Sequence, residues 1–314
     1  MLYTRRGFGK FALATLPAAH GLLAPHRAAA AGAARQPNSN FGGVQVGIIA
    51  PYALRGVADN VDDILNAMLE LGLSAVEMQS EVIEAYAGAP AALPTTSRLP
   101  AGEGLRTWRL SQSMDKFNQL RQRYNDSGVS IDIVKFPLGP DMTDDEVDYC
   151  FQVAKALGSR AITCEPPVSE TRRLGAFGAK HQIRLGFHNH TDATGVESFC
   201  RPGAWEQAFF YSEWNGANVD IGHFCAGNSM SPVDFLRRYP ERITNIHLKD
   251  RKFHQGPNLP WGEGDTPIAE ILRLMKQKQY KFMATIELEY PTPEGSNVMA
   301  ELHKCVSFCK AVLA

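Results

Sequence analysis

NVDIGH at residues 218–223 and ITNIHLKD at 243–250 are short apolar runs that break into residues able to hold a metal, Asp220 in the first and His247 in the second. AITCEP (161–166) stops in the same way at Glu165, and FMATIELEY (282–290) carries Glu287. A fifth run, RLGFHNH (184–190), ends in His188 and His190. Short runs rich in apolar and β-branched residues read as buried strands, so each of these groups falls where a strand stops. Donors spread along the chain but placed alike at strand ends call for a parallel sheet whose carboxyl edges meet at one site.

Three further strand-like runs, VQVGIIAPY (44–52), SAVEMQS (74–80) and SIDIVKFP (130–137), bring the number to eight. Between them lie segments with helical spacing at 60–72, 114–128, 143–159, 203–216, 231–242, 265–280 and 296–313, with a weaker one at 169–181. Thr143 and Ser231 sit where helices would be capped, and Gly72, Gly128 and Gly158 where they would end. Eight strands alternating with helices predict a single (β/α)8 TIM barrel over 44–314, near the ~250 residues usual for that fold. An open doubly wound sheet would gather its site at one switch point, whereas the candidate donors here recur on five strands. No Gly-x-Gly-x-x-Gly follows the first strand, which removes the main signal for dinucleotide binding. The long connection from Ala87 to Arg106 reads as a substrate lid over the barrel mouth.

The chain has 314 residues, 44% of them hydrophobic, with a formal net charge of −1. That is enough apolar material for one large core, and it leaves no basic footprint for a nucleic-acid partner. Ahead of the barrel, Thr4-Arg5-Arg6-Gly7-Phe8-Gly9-Lys10 precedes a mildly apolar stretch and an alanine-rich tract. Residues 1–34 resemble a bacterial twin-arginine signal, followed by a linker at 35–43, so the export machinery is an expected partner and the periplasm or exterior the expected location. Pro17 and His20 interrupt the apolar stretch, which is shorter than the ~20 residues of a spanning helix, so no stable membrane anchor is expected. The six cysteines show no zinc-knuckle spacing and are expected to be mostly buried and reduced. The sequence is compatible with a homo-oligomer without requiring one.

Residues two apart on a strand share a face. On that parity Thr163 and Glu165, His188 and His190, His247 and Lys249, and both Glu287 and Glu289 point inward; Glu287, deeper in its strand, is chosen as the donor. Glu165, Asp220, His247 and Glu287 form a mostly hard-oxygen set suited to Mn2+, Mg2+ or Co2+, with Zn2+ also accommodated. Lys135 closes the third strand and points inward, so it either acts on the substrate, bonding a hydroxyl or stabilising an enolate, or pairs with Glu77 or Glu165. His188 and His190 are substrate-side candidates, each read as a proton carrier or an orienting group, with His188 the one in contact with substrate. Glu77 and Lys249 are further substrate-side candidates, and Gly262-Glu263-Gly264 with Trp261 forms either an apolar wall of the rim or a plain loop.

Taken together, CEP, FHNH, VDIGH, IHLKD, WGEGD and IELE resemble the xylose isomerase-like TIM-barrel superfamily over essentially the whole chain from Val44 onward. The resemblance implies metal ligation by Glu165, Asp220, His247 and Glu287, and an acid and base role for Glu165 and Glu287. It also implies places near the substrate for His188 and His223. Endonuclease relatives carry extra histidines and an Asp-x-His where this chain has Glu77, Lys135, Gly256 and Asn258, so phosphodiester cleavage is not expected. What is expected is removal of a proton next to a carbonyl of a sugar or keto-sugar by an isomerase or epimerase. A 3-keto-glycoside lyase or dehydratase, a hydrolase and a non-catalytic sugar-binding barrel are the alternatives.

Overall fold

The computed structural model describes residues 36–90 and 102–314. The signal read at 1–34 and the middle of the connection read as a lid lie outside the described residues. Eight parallel strands form the sheet: β1 (Val44–Ala50), β2 (Ala75–Gln79), β3 (Ser130–Lys135), β4 (Ala161–Cys164), β5 (Arg184–His188), β6 (Asn215–Asp220), β7 (Ile243–Leu248) and β8 (Met283–Ile286). Each pairs with the next, and β8 pairs with β1 through Ala284 opposite Val46, which closes the barrel. β4, β6, β7 and β8 are buried at every residue, as strands with helices outside and a filled lumen must be.

Strand alternation sorts the lumen into layers. Ala75, Ile133, Ala161 and Met283 form a small apolar cluster separate from the main core. Gly47 leaves room for it, since a Cβ there would lie 2.7 Å from Ala75 O. One step toward the carboxyl ends the lumen turns polar, with Glu77, Thr163, Asn218, Asn245 and Thr285 all fully buried and hydrogen-bonded to one another. The next step brings the strand ends and the candidate site. Outside, the helices pack Ile, Leu, Val and Phe side chains on the sheet.

Helix boundaries follow the capping chemistry. Asn60 accepts from Asp62 N and Asp63 N at the start of α1 (Val61–Leu71), and Gly72 ends it in the left-handed region. Thr143 and Glu146 form a reciprocal capping box on the helix Asp144–Leu157, which Gly158 terminates.

Three boundaries differ from the sequence reading. The helix expected over 203–216 stops at Tyr211, and β6 starts at Asn215, because Asn215-Gly216-Ala217 carries too little apolar bulk to announce a strand. NVDIGH leaves the sheet at Asp220, and Ile221–Asn228 is a helix whose first turn is capped by the Asp220 carboxylate accepting from His223 N at 2.7 Å. The connection after β2 holds two helices, Ser80–Ala87 and Glu103–Ser111, around the undescribed residues 91–101.

The second of these is pinned by Arg109, buried and bidentate on Glu84 at 2.7 and 2.9 Å. All six cysteines are buried and unpaired. No helix among the described residues is long and apolar enough to cross a membrane.

Candidate metal centre

At the carboxyl ends of the strands, His188, Asp220, His247 and Glu287 each offer a donor atom, and the four atoms lie within 4.8 Å of one another. The side chains come from the ends of β5, β6, β7 and β8, where residues of a barrel converge. All four are buried. His247 is held between two carboxylates, with Nδ1 2.8 Å from Glu287 Oε2 and Nε2 2.7 Å from Glu77 Oε2. Burial alone would push its pKa down, but Glu77 and Glu287 outweigh it and raise it to about 10. Burial pushes Asp220 up to about 6, against the opposing pull of Lys249. Burial would also raise Glu287, yet Lys249 and His247 hold it well below the usual carboxylate range.

His188 stands apart. Only 3% exposed, it has no hydrogen-bond partner for Nδ1. Burial, then the charges of Lys135 and His247, push its pKa well down, which favours the uncharged imidazole that metal ligation requires. An orphaned buried nitrogen beside two carboxylates and a second imidazole fits a divalent cation.

Glu165 lies outside this group of four. Its Oε1 is 2.5 Å from Lys135 Nζ and its Oε2 is 2.9 Å from His190 Nε2. Burial opposes ionisation, but Lys135 and then the His190 hydrogen bond hold it well below its ordinary pKa. Lys135 is correspondingly raised: burial lowers it, and Glu165, Glu77 and Glu287 more than offset that. Lys135 is thus paired with Glu165, one of the partners read for it from the sequence.

The other candidates separate. Glu77 sits below the donors, accepting from Thr163, Asn245 and His247, so it orients His247 from within the lumen. His223 comes from the first turn of helix 221–228, with Nε2 2.9 Å from Lys249 Nζ and Nδ1 2.8 Å from Arg251 Nη1. Burial, followed by Lys249, lowers it to about 2, so it is neutral. Trp261 packs edge-on against Phe308 of the last helix, with ring centroids 5.7 Å apart. The turn around it is organised by Asp250, whose carboxylate accepts from Gly262 N, Gly264 N and Thr266 N.

A family profile described as xylose isomerase-like TIM barrel matches residues 65–306. This chain belongs to that family. Among solved structures, one named as a sugar phosphate isomerase/epimerase from Parabacteroides distasonis is 15% identical, with TM-score 0.58 over 86% of this chain and 94% of that one. The "probable 3-DHS dehydratase AsbF" of Bacillus anthracis is 12% identical, with TM-score 0.61 over 84% and 98%. A zinc-bound IolI protein is also 12% identical, with TM-score 0.57 over 86% and 96%. At these identities the likeness shows the fold. No curated protein matches the chain. Proteins named as an isomerase/epimerase and as a probable dehydratase thus share this fold.

Sequence reasoning placed Asp220, His247 and Glu287 at strand ends, and the fold brings those three together. It also put Glu165 in the donor set and His188 beside it; here His188 lies within the group of four, and Glu165 is paired with Lys135 and His190. Glu289, Tyr52, Asn258 and Arg251 were not singled out as site residues. Parity pointed to Glu289, but nothing local marked Tyr52 or Arg251.

Proposed function

We propose that this chain is a divalent-metal-dependent enzyme that takes a proton from carbon next to a carbonyl of a sugar or keto-sugar, as an isomerase or epimerase. The observation that carries the proposal is the pairing of two assemblies at one barrel mouth. One is the group of four donors. The other is an ionised carboxylate, Glu165, held between Lys135 and His190.

His188, Asp220, His247 and Glu287 would hold the ion. Two imidazoles and two carboxylates suit Mn2+, Co2+ or Zn2+ better than Mg2+. A bound divalent ion supplies Lewis acidity that stabilises negative charge forming on a substrate oxygen. Glu165 is the base. At rest its Lys135 partner keeps its proton affinity low, so the step needs Lys135 to turn toward the oxygen gaining charge. That movement strips Glu165 of its counter-ion and makes it a stronger base. His190, on the other carboxylate oxygen, keeps Glu165 aimed during the exchange.

Proton return decides the product: the opposite face gives an epimer and the neighbouring carbon an isomer. Loss of a β-substituent from the same carbanion would make the chain a 3-keto-glycoside lyase or dehydratase. The dehydratase among the structural neighbours favours keeping that second reading. The proposal includes delivery of the folded chain to the periplasm through the Arg5-Arg6 signal, tested by fractionating cells that express the Arg5→Lys, Arg6→Lys variant.

The decisive experiment incubates metal-loaded protein with a panel of ketoses, aldoses and 3-keto-glycosides in deuterated water. Deuterium at carbon in recovered sugar supports proton abstraction. Turnover of a sugar without exchange in any panel member, or binding of sugars without turnover, refutes it.

A further inference from the structure

Lys249 is in the wrong place for a simple metal site. The residue is 1% exposed, and its ammonium lies 2.8 Å from Asp220 Oδ2 and 3.2 Å from Glu287 Oε2. These carboxylates belong to the group of four donors. An ion seated there would compete with Lys249 for both and would face its charge at short range, in a setting where water screens little. The same ammonium lies 2.6 Å from Glu289 Oε2 and 2.9 Å from His223 Nε2.

Glu289 is not one of the four donors and is held from the far side. Tyr52 Oη donates to its Oε1, and Asn258 Nδ2 donates to its Oε2 at 3.1 Å. Lys249 thus has one fixed seat, Glu289, and two carboxylates that it shares with whatever cation enters.

We infer that Lys249 is a resident cation that holds Asp220 and Glu287 in register in the metal-free protein, yields them to an entering divalent ion, and then rests on Glu289. This rests on the reading that Asp220 and Glu287 bind such an ion. Without Lys249, the metal-free barrel would enclose Asp220 and Glu289 with no cation in close contact and leave Glu287 to His247 alone, a costly arrangement for buried charge. With Lys249, the site is stable empty, and ion affinity is set by how firmly Glu289 draws the ammonium away. Lys249 is accordingly a positioning residue that sets metal affinity, and Glu289 is the anchor that tunes it.

Opposite effects of two variants test the inference. The full chain is titrated calorimetrically with Mn2+, Co2+ and Zn2+ at pH 8. Lys249→Met removes the competitor and should tighten binding by about tenfold or more, or about 1.4 kcal/mol. Glu289→Gln weakens the anchor, leaves the ammonium on Asp220 and Glu287, and should loosen binding by about threefold or more. A purely structural role would loosen binding in both. Lys249→Arg keeps the charge and should stay within about threefold of wild type; with Glu289→Gln it carries the test if Lys249→Met does not fold.

Wild-type or weaker affinity in Lys249→Met, or tighter binding in Glu289→Gln, overturns the inference while leaving the metal site standing. Failure of both wild type and Lys249→Met to take up any of the three ions overturns the metal site and the inference with it.

Discussion

Replacing Glu165 by glutamine separates the two roles that the sequence gave to one residue. The change keeps shape and removes charge, and the amide can still accept from His190 or from Lys135, now 2.9 and 2.5 Å away. Because Glu165 lies outside the group of four donors, metal affinity should fall by less than about tenfold, or about 1.4 kcal/mol. The lost ion pair is partly solvated, with the Glu165 side chain 31% exposed, so folding stability should drop by no more than about 1 kcal/mol. The proton-transfer step should slow by about 10²–10⁴, or about 3–5 kcal/mol, which is what a positioned general base contributes. The assay pairs Co2+ titration calorimetry with the rate of deuterium uptake into substrate. Glu287→Gln gives the contrast: it unbalances His247 and Lys249 and should cost about 3–5 kcal/mol of stability in the metal-free protein, with loss of metal binding. If Glu165→Gln loses the metal as fully as Glu287→Gln does, Glu165 is a ligand and the division of roles is wrong. If it exchanges deuterium at the wild-type rate, Glu165 is not the base.

Asp250→Ala would leave the amides of Gly262, Gly264 and Thr266 without their acceptor, so urea unfolding should show a loss of about 2–4 kcal/mol and residues 260–266 should lose protection in hydrogen exchange. With all six thiols buried, none should react with an aromatic disulfide reagent in the native protein on the minute scale, and six should react in guanidinium. Burial alone would raise the Asp148 carboxyl, but Lys180, His181 and Gln152 outweigh it and bring it to about 2. Its folded pKa therefore lies below the unfolded value near 3.9, so its contribution is present above about pH 4 and is lost as pH falls toward 2. Stability measured across that window should fall less steeply in Asp148→Asn, by about 1 kcal/mol.

Strand order and the level of the site could be read directly from the chain. Eight apolar runs alternating with capped helices dictate a closed parallel sheet, and polar residues at the carboxyl end of each run mark one rim as the site, because a strand buried on both faces tolerates them only where it leaves the barrel. Thr143, Gly72 and Gly158 set their helix ends by local chemistry and fell where expected. His223 did not follow strand parity. Asp220 turns the chain into a helix by capping it, so the side chain three residues on is placed by helical geometry.

Parity says which way a side chain faces but not how high it stands relative to its neighbours around the barrel. That height depends on the stagger between strands and on register shifts, here between Val76 and Glu77 and between Ala217 and Asn218. Those shifts belong to pairings between distant segments. They decide that Glu77 lies beneath His247, that His188 meets Asp220 and Glu287, and that Glu165 is left to Lys135 and His190. The sequence by itself determined the barrel and the residues at its mouth; tertiary structure alone decided which of them touch, because closure of the sheet fixes heights that no single strand encodes.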